Sequence, residues 1–185
     1  MPRRRKGKEP EYTSVVATID TYDVETHASI NNDMDAAFRE FADDEAPVFT
    51  FETDLTIRAT CTEPTARKGH AIELTLLSPA HLSRRLRYRI KQFRKTDDDG
   101  TPIYKKYRDG EFPVYEKPPG IARIDKVRGE DQWTIWMQVA PQMTTDTLLT
   151  LASGKQVWLW FQEKKEDRQR WVEYLSVQTK APEEE

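Results

Sequence analysis

The sequence predicts a mainly β fold, an antiparallel β-sandwich or an open barrel with one or two short helices. Apolar and polar residues alternate along several segments, as they do in strands that bury one face. Turn-forming residues separate these segments at short intervals, and stretches with helical spacing are few. Since many strands joined by short connections build sandwiches or barrels, these observations favour the two architectures.

The clearest predicted strand covers 48–61, and 63–69 (EPTARKG) turns the chain into a return strand that begins at Ile72, Leu74 and Leu76. Further strands are predicted at 12–24, 121–127, 132–140, 156–163 and 169–178. In 48–61 the apolar residues share one face, which we expect to be buried: Phe49, Phe51, Leu55, Ile57, Ala59 and Cys61.

One helix is predicted after Asn32, which can cap it, with an apolar stripe formed by Met34, Phe38 and Phe41. The segment 79–94 fits either a strand or a helix, and we favour a strand, with 85–95 paired with 103–107 in a hairpin across the turn TDDDG at 96–100. The segment 144–153 fits a strand or a short helix closed by Gly154, and we favour the helix.

The composition predicts one globular domain at 11–179, with a basic disordered tail at 1–10 and an acidic tail at 180–185. Apolar runs are too short to span a bilayer, and the basic start lacks the apolar stretch of a secretory signal. The single cysteine, Cys61, excludes an internal disulfide and is expected to be a buried structural thiol. We therefore expect a cytoplasmic protein without membrane association.

Charge is segregated along the chain. Eleven acids and one base lie in 20–54, whereas 55–128 holds seventeen bases and nine acids, and 84–95 alone has seven cations and no acid. If 84–95 is a strand, one face carries the candidate polyanion-binding residues Arg85, Arg87, Arg89 and Lys91. Either the acidic segment neutralises this row, or a nucleic acid binds it together with the N-terminal basic arm.

The C-terminal third is rich in tryptophan. Its strands carry apolar residues on both faces. Both faces of such strands must be covered, by the hydrophobic core, by another subunit or by a ligand. Trp136, Trp158 and Trp160 lie opposite the core face and are the candidate interface residues, because tryptophan is favoured at buried interface centres. A stacking platform for sugars or bases is a further interpretation of the same residues.

Signals of catalysis are sparse. The histidines His27, His70 and His81 lack metal-ligand spacing, and neither a nucleophile elbow nor a phosphate-binding loop is present. Asp146, Glu163 and Lys165 resemble the D…(D/E)xK arrangement of restriction-type nucleases, which implies two carboxylates holding Mg²⁺ and a lysine assisting the attacking water. However, Glu163 opens a polar stretch (EKKEDRQR) that is typical of a solvated turn.

From these observations we predict a non-catalytic binding or assembly module, without catalytic residues, metal or cofactor, whose partner is another protein or a second copy of the chain. Nucleic-acid binding through the basic 84–95 strand is the alternative, and a Mg²⁺-dependent nuclease is the second alternative.

Overall fold

The computed structural model of the chain describes residues 9–30, 49–79, 89–116, 118, 120–166 and 169–182. Within this part of the chain there are two 3-10 helices, Thr65–Arg67 and Ile90–Phe93. The strands and the α-helix are β1 (Glu11–Ile30), β2 (Phe49–Glu63), β3 (Ala71–Pro79), β4 (Tyr104–Tyr107), β5 (Gly110–Pro113), β6 (Ala122–Lys126), β7 (Gln132–Gln138), α1 (Pro141–Leu151), β8 (Trp158–Glu166) and β9 (Gln169–Gln178).

Seven strands form a closed barrel in the order β1-β2-β3-β7-β6-β9-β8. The long strand β1 closes it, because β1 pairs with β8 over Glu11–Thr18 and with β2 from Val16 to Ile30. The predicted mainly β class is thus confirmed, whereas the barrel is closed and not open, and a sandwich is not what forms. Alternation of apolar residues marks the buried face of a strand but does not indicate which strands meet at the edges.

The pairing is not purely antiparallel, since β3 and β7 run parallel from the Ala71–Gln132 pair to the Leu77–Gln138 pair. A parallel pair needs a long crossover connection. Here the chain between β3 and β7 includes the β4–β5 hairpin and β6.

The inward faces of the seven strands form one hydrophobic core. In β2 the alternation is the predicted one, with Leu55, Ile57, Ala59 and Cys61 buried. Helix α1 covers one end of the barrel, where it packs against β2, β3 and β9 and contributes Met143, Leu148 and Leu151 to the core. The helix predicted at 144–153 is therefore confirmed, and Gly154 follows it with a positive φ of 71°, as a helix-terminating glycine does.

The predicted strand over 79–94 is wrong where the structure describes it. Ile90–Phe93 form a 3-10 helix, in which the Gln92 N–H donates to the Arg89 carbonyl at 2.9 Å and the Arg89 N–H donates to Gln92 Oε1 at 2.6 Å. Local turn bonds thus replace sheet bonds at a place where a strand would align like charges. Residues 80–88 and the helix predicted after Asn32 lie outside the described residues.

A second, two-stranded sheet of β4 and β5 stands apart from the barrel. We call residues 94–116 the arm. The predicted turn at 96–100 is present, with the Asp97 N–H donating to the Thr101 carbonyl at 2.9 Å. The predicted pairing of 85–95 with 103–107 is found only next to the turn, between Lys95 and Ile103, because β4 itself pairs with β5. The preceding segment braces this hairpin through Lys95, whose N–H donates to the Val114 carbonyl and whose carbonyl accepts from the Ile103 N–H.

Candidate functional site: two aromatic surfaces and a polar barrel end

The structure separates the predicted polyanion-binding residues. Arg89 is exposed just before the 3-10 helix, and Lys91 lies within that helix. Arg85 and Arg87 lie outside the described residues. The acidic segment 20–54 does neutralise one base of 55–128, because Asp23 on β1 bonds to Arg58 on β2. Arg58 also lies 3.4 Å from Glu73 on β3. The hydrogen bond to Asp23 raises the pKa of Arg58.

The three tryptophans predicted at an interface all lie on the outer surface of the barrel but not in one patch. Trp136 is 59 % exposed on β7, where its cross-strand neighbour on β6 is Arg123. Trp158 and Trp160 are half-buried on β8. Because β6 and β9 lie between β7 and β8 in the barrel, Trp136 points away from the other two.

Trp158 and Trp160 belong to a surface that we call the aromatic face, which also includes Tyr12 on β1 and Tyr174 on β9. Trp160 meets Tyr174 edge to face, with ring centroids 5.0 Å apart, and its indole N–H donates to Ser14 Oγ at 2.9 Å. Beneath the indole, Val16 of β1 pairs with Trp160 and is buried. The rings are therefore held in defined orientations before any partner arrives.

The aromatic face is uncharged at its centre. Except at Tyr12, the residues in register with its rings are uncharged: Val16 and Ser176 beside Trp160, Thr18 and Gln178 beside Trp158, and Gln162 beside Tyr174. At its margin Lys164 pairs in register with Tyr12 and forms an ion pair with Glu166 at 2.8 Å, so that charge is compensated locally. Among the described elements, β8 packs extensively only on its sheet neighbours β1 and β9. Among the described elements, therefore, none packs over the outer side of Trp160 and Tyr174.

The end of the barrel opposite α1 is closed by charged side chains. Glu163 on β8 points inward and its side chain is 1 % exposed. Its two carboxylate oxygens accept hydrogen bonds from Arg67 of the β2–β3 connection, at 2.6 and 3.0 Å, and from Arg170 on β9. A buried carboxylate is tolerated only with such partners, so these bonds tie three segments of the chain together.

Trp133 of β7 completes this polar end. Its indole N–H donates to His70 Nδ1 at 3.2 Å, which assigns the hydrogen of a neutral His70 to Nε2, 3.7 Å from Asp131. The Arg67 and Arg170 guanidinium carbons lie 4.4 and 5.2 Å from the indole centroid, within the range of cation–π contacts. Sequence reasoning missed this cluster, because its members come from three segments that are far apart in the chain, 67–70, Trp133 and 163–170.

The arrangement does not assemble the nuclease-like residues into a metal site. Glu163 is occupied by two guanidinium groups, Lys165 bonds to Glu11 at 3.0 Å, and Asp146 lies on α1 beside an open depression of about 470 Å³. Within the described part of the chain no group of three or more histidine, cysteine or acidic residues is placed to hold a metal ion. Cys61 is buried as predicted, and burial raises the pKa of its thiol.

The arm presents a second aromatic surface, which sequence reasoning also missed. Four rings are between 41 and 53 % exposed: Tyr104, Tyr107, Phe112 and Tyr115. Cations accompany them, with Lys105 Nζ 5.4 Å from the Tyr107 centroid and the Arg94 guanidinium carbon 5.9 Å from that of Tyr115. A side-chain hydrogen bond to Tyr115 raises the pKa of Arg94. The available signal was the alternation of aromatic and basic residues in IYKKYRDGEF.

Comparison with protein-family models, curated proteins and solved structures finds no match for the chain. In the residues that the structure describes, no helix has the length and apolar character needed to cross a membrane.

Proposed function

We propose that this protein is a non-catalytic assembly module whose aromatic face packs against the same face of a second copy. The observation that carries the proposal is the pair of ordered rings, Trp160 and Tyr174, on a sheet surface that no described element covers. Tryptophan and tyrosine are the residues most enriched at interface centres, where they contribute large contact areas at a small entropic cost.

The absence of charge at the centre of the aromatic face supports a second copy as the partner. A two-fold interface brings each patch against itself, so an uncompensated charge near the symmetry axis would meet its own copy. Here the rings are surrounded by Ser14, Gln162 and Ser176, which can each donate and accept hydrogen bonds. Edge-to-face contacts between aromatic rings are likewise self-complementary.

The mass of the protein in solution tests the proposal. We expect size-exclusion chromatography with light scattering to show a dimer of the full chain and the double variant Trp158→Arg/Tyr174→Arg to run as a monomer. The control is Trp136→Arg, which changes an exposed tryptophan on the outer surface of β7, away from the aromatic face. A wild-type monomer throughout an accessible range of protein concentrations would reject self-assembly.

A further inference from the structure

We infer that the arm binds single-stranded nucleic acid, with bases stacking on its rings and its cations contacting the phosphates. This inference concerns a different surface and a different partner from the assembly proposed above. It begins from the exposure of the arm. Every residue of β4 and the first three residues of β5 are exposed, so the rings at these positions do not serve a core.

The arm has two usable faces, which the strand register defines. Lys105 and Phe112 are cross-strand neighbours, and Tyr107 meets Phe112 at a centroid distance of 5.9 Å, so these three side chains share the first face. Tyr104 and Lys106 lie on the second face. Each face therefore combines at least one exposed ring with a cation, which is the combination that sequence-tolerant binding of single strands requires.

The distribution of acids favours the first face. Glu111 is the cross-strand neighbour of Lys106 on the second face, and Glu116 lies 3.9 Å from Lys95 at the base of the arm. The Asp97 carboxylate accepts the N–H groups of Asp99 and Thr101 and so holds the turn. On the first face the residues in register with Lys105 and Tyr107 are Phe112 and Gly110, neither of which is acidic.

Charge around the base of the arm points to a polyanion and not to an apolar partner. Arg89 lies just before the arm and Arg94 lies at its base, and both are exposed in the structure. The aromatic face of the barrel has comparable rings but a neutral centre. The arm as a whole holds five bases and six acids, but Lys105 on its first face has no acid in register and is placed to contact a phosphate, whereas the centre of the aromatic face has no cation.

Fluorescence anisotropy with the full chain tests the inference directly. The probes are fluorescein-labelled oligothymidylate and oligouridylate of about 15 nucleotides, close to the length that one small β-domain covers. We expect binding at about 50 mM salt that weakens markedly by about 200 mM, because bound phosphates release counterions. Binding of either probe supports the inference, and a preference between them shows whether the ribose 2′-OH contributes.

Variants of the first face separate stacking from charge. Tyr107→Ala and Phe112→Ala are each expected to weaken binding on the order of five- to a hundredfold, the loss that removal of a stacked base contact produces. Tyr107→Phe keeps the ring and should retain the wild-type affinity. Lys105→Gln should reduce the slope of log affinity against log salt by about 0.7, the change for one phosphate contact of a single strand.

Two controls keep the result specific to the arm. Tyr22→Ala removes a similarly exposed ring from β1 and should leave the affinity unchanged. Circular dichroism and a mass in solution that are the same as for wild type would show that the arm variants keep the fold and oligomeric state of the protein. The inference is overturned if neither probe binds at about 50 mM salt, if the alanine variants bind like wild type, or if duplex DNA of equal length competes better than the single strands.

Discussion

The barrel and the arm are both built from β-strands that carry aromatic and cationic residues, but they use these residues in opposite ways. In the barrel, Trp133 is buried and the cations near it, Arg67 and Arg170, are bound to the buried carboxylate of Glu163. In the arm, Tyr107 and Lys105 face solvent. The same residue types therefore close a core in one region and remain available for a ligand in the other.

This difference shows why residue type alone does not identify a binding surface. A cation over an aromatic ring occurs in both regions, at 4.4 Å for Arg67 and Trp133 and at 5.4 Å for Lys105 and Tyr107. What distinguishes them is the buried carboxylate that compensates Arg67 and the absence of an acid in register beside Lys105. Burial of the ring and compensation of the cation by a carboxylate both depend on the fold, and they distinguish the structural pair from the exposed pair.

The largest effect is expected at the polar end of the barrel. Glu163→Ala leaves Arg67 and Arg170 without their shared carboxylate in a poorly solvated site, and we expect a loss of about 3–5 kcal/mol in the free energy of unfolding. Urea denaturation followed by tryptophan fluorescence measures it. Glu163→Gln, which keeps the shape and an acceptor oxygen, is the control and should lose less. A loss below about 1 kcal/mol for the alanine variant would show that the cluster does not hold this end closed.

A matched pair of truncations compares the two regions directly. Leu74 is fully buried in β3, so Leu74→Ala should cost about 2–5 kcal/mol through lost burial and a residual cavity. Phe112→Ala removes a larger side chain from the arm and should change the free energy of unfolding by no more than about 0.5 kcal/mol. Similar losses in the two variants would mean that the ring of Phe112 serves stability, and the contrast between barrel and arm would fail.

The smallest effect concerns the buried thiol. Because burial raises the pKa of Cys61 above its ordinary value of 9.0, the folded state keeps the proton after the unfolded chain has released it. The contribution of the thiol to stability is therefore complete below the pKa of the unfolded chain, and it is lost as the pH rises from there through the raised pKa of the folded state. We expect wild type to lose stability more steeply than Cys61→Ala in alkaline urea titrations. Parallel curves would indicate that the thiol is solvated.

Much of the barrel was predictable from local pattern. Alternation identified β2 and β3 with their intervening turn, and the spacing before Gly154 identified α1. The segment leading to the arm was not predictable in this way. Cations that alternate with apolar residues fit one face of a strand, but they also fit a segment that is exposed to solvent. At Ile90–Phe93 local hydrogen bonds form a 3-10 helix. The prediction of a strand there relied on period alone.

The candidate sites were predicted only in part. Trp136, Trp158 and Trp160 were predicted on the face opposite the neighbouring apolar residues, with the cover of that face left open, and in the structure this is the outer surface of the barrel. Their division between two sides of the barrel was not predictable, since it depends on β6 and β9 lying between β7 and β8. The nuclease-like spacing of Asp146 and Glu163 is likewise divided by the fold, with one residue on α1 and the other at the polar end.

The sequence by itself determined the mainly β character of the chain, the two alternating faces of β2, β7 and β8 and the burial of Cys61. These properties follow from a period of two and from turn-forming residues, which act over a few positions. Only the tertiary structure decided that the barrel closes, that β3 and β7 run parallel and that Arg67, Glu163 and Arg170 meet. Such contacts join residues as many as 96 positions apart, and the spacing of residues along the chain carries no signal for them.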